Sequence, residues 1–374
     1  MTSVPVLTTN LTTRLERAQH TAAEAGMDAL LITPGPGLRY LTGFDARYSE
    51  RLTCLVLPAH GDPVLVVPAL ETAVAQASPL GDLGIQIADW TETEDPLSLV
   101  STLVPEVRTV GLDDQMRAIT VLGLRETMPE VAQRPAGPVL AELQVRKDPA
   151  EIDALRVAGQ AIDEVHAQVP QLLCAGRTEA EVGGDISAAI LAAGHVSVDF
   201  VIVAAGPNGA SPHHDLSDRV IQPGDVVVVD IGGTTPAGYC SDSTRTYAVG
   251  EPDSEYLRHY QTLQEAQQAA FDHARPGVTA ESVDTVARDM LTEAGLGEYF
   301  IHRTGHGIGL STHEEPYLVS GNTAVLEPGM AFSIEPGFYV PGRYGARIED
   351  IVVATDDGAE RLNHCPRELI VVDV

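Results

Sequence analysis

The sequence has few basic residues and no long apolar run, and each shortage excludes a class of partner. Its 374 residues include 23 Lys and Arg against 53 Asp and Glu, which gives a net charge of −30. Because binding to nucleic acid or to an anionic membrane depends on Lys and Arg, neither partner is expected. No stretch approaches the ~20 apolar residues of a membrane span, and the first residues lack the pattern of a secretory signal. A cytoplasmic location is therefore expected.

Cysteine is also scarce. The four cysteines lie far apart and form no CxxC pair, so the sequence indicates neither a zinc knuckle nor a disulfide framework. What the chain does have is 44% hydrophobic and 20% charged residues. A chain of this length and composition can bury a large core and is long enough for two domains.

The patterning changes near residue 146. Before it, residues 11–25 predict a helix, and the short apolar runs ALLIT and TCLVLP predict strands between turn-rich segments. After it, Asp148 as N-cap, Pro149 at the first helical position and Glu151 in a capping box predict a long amphipathic helix. We therefore expect two domains, residues 1–146 and residues 147–374.

The second domain is predicted to mix helices and strands. Thr178 with Glu181 marks the start of a second helix, and TAESVDTVARDMLTEAG predicts a third. The segments rich in β-branched and apolar residues predict five strands, namely DFVIVAAG, DVVVVDIGG, STRTYAVG, MAFSIEPGFYV and ARIEDIVVAT. The expected fold class is α/β (α+β).

Four carboxylates lie within or beside these strands: Asp230 after a four-valine run, Asp242, Glu335 and Glu349. Strand alternation would place Glu349 on the same face as Arg347. An ionised carboxylate in an apolar strand costs several kcal/mol unless a cation or hydrogen bonds compensate it. A core salt bridge explains one such residue, whereas four of them are better explained by metal ions.

A histidine-rich segment, HRTGHGIGLSTHEEP, runs from His302 to Pro316 and holds three of the twelve histidines. The spacing of His302 and His306 resembles that of a zincin helix, but Arg303 stands where the catalytic Glu should be, and glycines would interrupt a helix. The glycines instead indicate a loop or strand end where the backbone approaches a ligand and displays imidazoles.

The ligand types constrain the metal. A set of four carboxylates and one imidazole suits Mn²⁺, Co²⁺ or similar ions better than structural zinc, which prefers sulfur and histidine. Two ions about 3.5 Å apart could share the set and hold a hydroxide as nucleophile. We therefore expect a hydrolase with two divalent ions, Mn²⁺ before Co²⁺ or Zn²⁺.

These residues resemble the five metal ligands of the pita-bread metallopeptidases. The matching contexts are VVVDIGG (Asp230), YCSDSTRT (Asp242), HRTGHGIGL (His306), SIEPG (Glu335) and ARIED (Glu349). The family includes methionine aminopeptidases, Xaa-Pro dipeptidases (prolidases) and Xaa-Pro aminopeptidases (aminopeptidase P). The segment RYLTGF resembles the creatinase-like N-terminal domain of the proline-specific members. The resemblance implies a small creatinase-like domain over residues 1–146 and a pita-bread catalytic domain over residues 147–374.

The resemblance also implies how the ligands divide between the two ions. Asp242 and Glu349 would help hold both ions together. Asp230 would lie on one side, and His306 with Glu335 on the other. Glu335 would in addition be the group that takes the proton from the attacking water.

Further residues are implied to handle the substrate. In GPNGASPHHD the resemblance selects the first of the two adjacent histidines, His213, as the one that faces the scissile peptide. His302 and His313 would contact the substrate carbonyl and the proline side. Arg347 would orient a ligand carboxylate or a nearby histidine. Arg347 and Tyr40, the latter in the first domain, would also belong to the substrate-binding set.

Substrate length depends on where a basic residue lies. Prolidases place an arginine near the histidine-rich segment to bind a dipeptide's free carboxylate, but HEEPYLVSGNTAVLEPG contains no Arg or Lys. We therefore expect cleavage of the N-terminal Xaa-Pro bond of longer peptides, as in aminopeptidase P. A prolidase that uses Arg303, Arg343 or a residue of a partner subunit is the alternative, and a metal-free binding protein is a remote one. The expected partners are peptides with proline second, and the family implies a homodimer.

Overall fold

The computed structural model describes residues 10–373, and the chain divides into two compact units. The first unit ends at Gln144 and the second runs from Val145 onward, two residues before the expected boundary. Both units combine helices with β-sheets, which confirms the predicted α/β (α+β) class. No helix among residues 10–373 is long and apolar enough to cross a membrane.

The N-terminal unit is built on one mixed sheet. Its helices are α1 (Leu11–Glu24), α2 (Pro36–Thr42), α3 (Thr72–Gln76), α4 (Pro96–Leu103), α5 (Ala118–Thr127) and α6 (Gly137–Gln144). Its strands are β1 (Ala29–Ile32), β2 (Cys54–Pro58), β3 (Val64–Pro68), β4 (Gln86–Trp90), β5 (Thr109–Leu112) and β6 (Ala132–Pro135), in the order β4-β3-β2-β1-β5-β6. The central strand β1 is apolar and buried at every position, as expected for a strand covered on both faces.

The described residues of the C-terminal unit form three sheets. Its helices are α7 (Pro149–His166), α8 (Val169–Leu172), α9 (Glu179–Ala192), α10 (Ser254–His273) and α11 (Ala280–Glu293). Its strands are β7 (Ser197–Ala205), β8 (Val226–Thr234), β9 (Cys240–Val249), β10 (Gly305–Gly307), β11 (Glu314–Leu318), β12 (Ala331–Ile334), β13 (Gly337–Val340), β14 (Tyr344–Arg347), β15 (Asp350–Thr355), β16 (Gly358–Arg361) and β17 (Ile370–Val372). The sheet orders are β17-β9-β8-β7, β11-β10-β12-β15-β16 and β13-β14.

Helices α7 and α9 begin where their capping residues predict. The Asp148 side chain accepts the N–H of Glu151, whose carboxylate accepts the N–H of Asp148. Thr178 and Glu181 form the same reciprocal pair at α9. Each N-cap satisfies donors that the helix itself leaves unpaired and contributes about 1 kcal/mol. Both predicted helix starts are confirmed.

Helix α10 was not predicted, although its start carries a signal. The side chain of Asp253 accepts the N–H of Tyr256 and caps the helix. The buried face includes Tyr256, Tyr260, Leu263 and Ala270, so the stripe mixes tyrosines and alanines with few strongly apolar residues. Such a weak stripe is hard to recognise by hydrophobic periodicity alone.

Two predicted strands are each interrupted. MAFSIEPGFYV forms β12 and β13, with Glu335 and Pro336 between them, where proline has no N–H for a ladder. ARIEDIVVAT contains the end of β14 and all of β15, and Glu349 lies between them. Strand alternation across this break therefore does not explain why Arg347 and Glu349 are neighbours. They meet because both bind the Thr244 hydroxyl, at 3.0 Å from the Arg347 Nε and 2.8 Å from the Glu349 Oε2.

Candidate active site

Two aspartates lie on one face of the paired strands β8 and β9. Asp230 is opposite Thr244, and Asp242 is opposite Gly232. Because alternate residues of a strand share a face, Asp230 and Asp242 are diagonal neighbours on the same side of the sheet. Both are buried, so the sheet presents two acidic groups away from solvent.

Two glutamates reach the same place from the ends of β12 and β15. Ile334 pairs with Asp350, so Glu335 and Glu349 lie one step beyond the last pair of this ladder. The N–H of Glu349 donates to the Thr244 carbonyl of β9 at 3.1 Å. This hydrogen bond joins the end of the second sheet to the strand that carries Asp242.

Glycines on both sides of His306 allow its strand to enter a crowded position. A Cβ on Gly305 would overlap the carbonyl oxygen of Ser333, and one on Gly307 would overlap the carbonyl of Glu315. Strand β10 can therefore pass between its neighbours only with glycine at these two positions. The close approach predicted from the glycines is between backbone segments, and its result is to hold the His306 imidazole beside the carboxylates.

The hydrogen bonding of His306 leaves one ring nitrogen free to bind a cation. Its Nδ1 lies 3.0 Å from the Gly307 carbonyl, which can only accept, so the proton sits on Nδ1. Its Nε2 then carries a lone pair and lies 3.3 Å from Glu335, 3.6 Å from Asp242 and 4.0 Å from Glu349. Burial and the neighbouring His313 lower the pKa of His306 to about 3, which keeps the imidazole neutral. A neutral imidazole with a fixed tautomer is the form that binds metal.

The cluster fits a divalent metal site. Ligand atoms of Asp242, His306 and Glu349 all lie within 4.8 Å of one another. Among the described residues, the buried atoms Asp230 Oδ1 and Glu349 Oε1 have no hydrogen-bond partner. A buried carboxylate oxygen without a donor is costly, and a bound cation would satisfy both atoms.

The acidity of these carboxyl groups is strongly perturbed. Burial, followed by the charges of Glu349 and Asp230, raises the pKa of Asp242 well above its usual value. Burial and the charges of Glu335 and Asp230 do the same to the pKa of Glu349. Burial raises the pKa of Glu335 to about 7, against the opposing charge of Arg347. The four carboxylates repel one another, and positive charge placed between them would relieve that repulsion.

The cluster forms one wall of a cavity of about 1050 Å³. Every predicted site residue except Tyr40 lines it, together with apolar groups of β7 and the following loop. The full lining consists of Phe200, Val201, Ile202, Pro212, His213, His214, Asp215, Leu216, Asp230, Asp242, His302, Arg303, His306, His313, Glu335, Arg347 and Glu349. This volume suits a small ligand such as a short peptide.

The two adjacent histidines of GPNGASPHHD have different surroundings. His213 is exposed at the cavity wall. His214 instead lies with Nε2 at 2.8 Å from the buried carboxylate of Glu179. Of the two, only His213 has no carboxylate partner among residues 10–373, so it is the one available to a ligand.

His302 is more enclosed than a substrate contact requires. Its Nδ1 lies 2.7 Å from the Arg303 carbonyl and its Nε2 lies 2.9 Å from the Tyr339 hydroxyl. Since both ring nitrogens are occupied, the expected direct contact with the substrate carbonyl is not what this structure shows. Burial and Arg347 lower the pKa of His302 to about 3, so the ring is a neutral part of the wall.

Tyr339 is a site residue that the sequence did not point to. Its hydroxyl receives a hydrogen bond from Arg347 and can donate one to His302. Arg347 in turn donates to Asp230 and to Thr244. These contacts support the expected orienting role of Arg347 and do not support a direct substrate contact. A tyrosine inside the strand GFYV looks like any core aromatic, so no sequence pattern marks it.

Tyr40 was predicted to bind substrate, and the structure contradicts this. Its side chain is 2% exposed, its hydroxyl donates to the Leu143 carbonyl at 2.9 Å, and the Arg14 guanidinium stacks on its ring. A side chain enclosed in this way cannot touch a ligand. Tyr40 instead packs α1, α2 and α6 of its own unit together.

Arg303 is one of the arginines that the sequence left open as an anchor for a dipeptide's free carboxylate. It lines the cavity, and its guanidinium stacks on the ring of Tyr317 at 4.4 Å from the centroid. Among residues 10–373 no carboxylate, carbonyl or hydroxyl binds this guanidinium through a hydrogen bond or ion pair. Arg343, the other arginine considered as an anchor, pairs with Glu255 at 2.6 Å and does not line the cavity.

Comparisons with known proteins agree with this geometry. The sequence model of metallopeptidase family M24 matches residues 153–356, and that of the creatinase/prolidase N-terminal domain matches residues 14–145. The chain therefore belongs to metallopeptidase family M24. This confirms the resemblance to the proline-specific pita-bread enzymes and the expectation of a peptidase.

Relatives and a solved structure are similar over nearly the whole chain. A probable dipeptidase PepE from Mycobacterium tuberculosis is 56% identical over 96% of this chain and 96% of its own. An Xaa-Pro dipeptidase from Lactobacillus delbrueckii subsp. lactis is 38% identical over 96% of this chain and 99% of its own. The crystal structure of a prolidase from Thermococcus sibiricus superposes with a TM-score of 0.92 at 37% identity, covering 98% of this chain and 100% of the other.

Proposed function

We propose that this protein is a metal-dependent Xaa-Pro dipeptidase. The observation that carries the proposal is Arg303, a cation on the wall of the cavity that contains the carboxylate cluster, with no acidic partner among the described residues. The names of the relatives, two dipeptidases and a prolidase, support the same substrate class. This proposal replaces the expectation of longer peptides, which rested only on the stretch after His313.

The proposed metal ligands are Asp230, Asp242, His306, Glu335 and Glu349. When bound, a pair of divalent ions supplies Lewis-acid polarisation of the scissile carbonyl and of the attacking water. We propose Mn²⁺ before Co²⁺ or Zn²⁺, because oxygen ligands dominate the set. Arg347 holds Asp230 in place through its guanidinium, which leaves the other carboxylate oxygen directed away from that bond.

Protein groups would carry the proton transfers and stabilise the developing oxyanion. Glu335, whose carboxylate lies 3.3 Å from the Nε2 of His306 and lines the cavity, is placed to accept a proton from water and later give it to the leaving proline nitrogen. His213 is exposed to the cavity and can donate a hydrogen bond to the oxygen that becomes negative. His313, whose ring centroid lies 4.1 Å from that of His306, would line the proline side.

Arg303 would bind the free carboxylate of the dipeptide. A guanidinium offers paired N–H donors that match the two oxygens of a carboxylate, and stacking on Tyr317 holds its plane. A tripeptide has a peptide carbonyl at this position and its carboxylate one residue further away. The arginine therefore favours dipeptides through charge and through distance.

The test removes the substrate's carboxylate and the arginine in turn. We expect wild-type kcat/KM for an Xaa-Pro dipeptide to exceed that for the matching Xaa-Pro amide or Xaa-Pro-Yaa tripeptide by about tenfold or more. Arg303→Gln is expected to lower kcat/KM for the dipeptide by about tenfold to a hundredfold, because a charged hydrogen bond contributes about 1.5–3 kcal/mol. For the Xaa-Pro amide, which has no free carboxylate, kcat/KM should change little in this variant.

Arg343→Gln is the matched control, since it removes an arginine that is paired on the surface. It should leave kcat/KM unchanged for the dipeptide, the amide and the tripeptide. A wild-type enzyme that prefers the tripeptide would contradict the dipeptidase proposal. A variant Arg303→Gln that lowers dipeptide and amide cleavage equally would show that this arginine acts on something other than the carboxylate.

A further inference from the structure

We propose that Glu179 is a positioning residue that sets the place of His213 at the cavity wall. The inference rests on the proposed function, because it assumes that His213 acts on the substrate. Glu179 is the first residue of α9 and is fully buried, yet it lies outside the metal cluster and does not line the cavity. A buried carboxylate needs several donors to be tolerated, and the identity of those donors is informative.

All the donors to the Glu179 side chain come from the segment that carries His213. The Ala205 N–H donates at 2.8 Å. Asn208 Nδ2 donates to both carboxylate oxygens at 3.0 and 3.1 Å. His214 Nε2 lies at 2.8 Å, and the Ser217 hydroxyl also donates. The carboxylate therefore binds residues before and after His213 and closes the segment 205–217 into a loop around itself.

The backbone at the start of α9 binds the same loop. The N–H groups of Glu179 and Ala180 donate to the carbonyls of Arg219 and Ser217 at 3.1 and 3.0 Å. One helical turn later, a Cβ on Gly183 would overlap the side chain of Leu216, so this glycine makes room for a residue that lines the cavity. The first turn of α9 thus holds the loop through hydrogen bonds and packing, and Glu179 lies at the centre of these contacts.

This arrangement predicts a specific effect of changing the acceptor. Glu179→Gln keeps the size of the side chain but replaces one acceptor oxygen with an NH₂ group that cannot accept from Asn208, His214 or Ser217. The helix terminus, which favours a negative charge there, also loses its partner. The loop would then be free to shift, and His213 would shift with it, while the proposed metal ligands on β8, β9 and β10 and beside the ends of β12 and β15 stay in place.

The experiment measures kcat and KM for an Xaa-Pro dipeptide in two backgrounds, with metal content determined for each variant. Glu179→Gln is expected to lower kcat about tenfold in the wild-type background, with KM and metal content within twofold. In the His213→Ala background the same substitution is expected to change kcat less than twofold, because the group it positions is absent. Glu181→Gln, on the same helical turn but exposed, is the matched control and should leave kcat unchanged.

An equal fall in kcat in both backgrounds would overturn the inference and leave Glu179 as a support of the fold alone. So would a Glu179→Gln variant with wild-type kcat. If His213→Ala itself retains full activity, the inference fails with the role of His213, whereas dipeptide cleavage by the wild type would still stand. Should Glu179→Gln not fold, Asn208→Ala removes the donor shared by both carboxylate oxygens and is expected to show the same dependence on His213.

Discussion

Asp242→Asn and Glu349→Gln are each expected to abolish metal binding and peptidase activity together while the protein remains folded. Each substitution removes an anionic ligand from a cluster whose ligand atoms lie within 4.8 Å of one another. Neither side chain is an apolar core contact, so the loss of packing is small. The loss of activity should be the largest of any substitution considered, because every step of the chemistry depends on bound metal.

The measurement combines metal analysis, thermal unfolding and a dipeptide assay. A ligand that binds only the native state raises stability, by about 2.7 kcal/mol at a hundred times its Kd. Added Mn²⁺ should therefore raise the Tm of the wild type and leave the Tm of both variants unchanged. Asp199→Asn, an exposed aspartate on β7 of the same sheet, is the control and should bind metal normally. Normal metal content and turnover in both ligand variants would contradict the assignment.

His213→Ala is expected to keep the metal but to lose about 10²–10³-fold in kcat, the range seen when one donor to a developing oxyanion is removed. His213 is exposed at the cavity wall and is not one of the proposed ligands. Metal content and the metal-induced rise in Tm should therefore match those of the wild type. His213→Ala therefore differs from the metal-ligand variants, because kcat falls while metal binding is kept.

His214→Ala is the neighbouring comparison. It removes one of the donors to Glu179, so it should lower kcat only severalfold, through the position of the loop. A larger loss at His214 than at His213 would mean that the register of GPNGASPHHD had been assigned one residue too early.

The sequence predicted the carboxylate cluster well because polar residues inside apolar strands stand out. Asp230 follows a run of valines, and the cost of burying its charge requires a partner. The capping residues of α7 and α9 were equally clear, since Asp148 and Thr178 each satisfy a local rule that needs no tertiary information. The metal identity, the cytoplasmic location and the homodimer stay predictions.

The features that the sequence missed depend on contacts between distant segments. Tyr40 stands in a motif that resembles a functional one, but only the fold shows that Leu143 and Arg14 enclose it. Arg303 was named only in the prolidase alternative, because the segment after His313 contains no Arg or Lys. In the structure Arg303, which precedes His306 in the sequence, lines the cavity, and we propose it as the anchor. Residues that are far apart in the sequence can line the same cavity, so the position of Arg303 could not be inferred from the segment after His313.

The most direct test of the account is metal-dependent release of proline by the purified wild-type protein. Bound metal is removed from the protein with a chelator, and the protein is then titrated with Mn²⁺. It is assayed with an Xaa-Pro dipeptide and with a matching dipeptide in which another residue replaces proline. We predict no proline release from the stripped protein, full activity near two ions per chain, and little cleavage of the dipeptide without proline. Proline release by the metal-free protein, or no release by the fully loaded one, would contradict it.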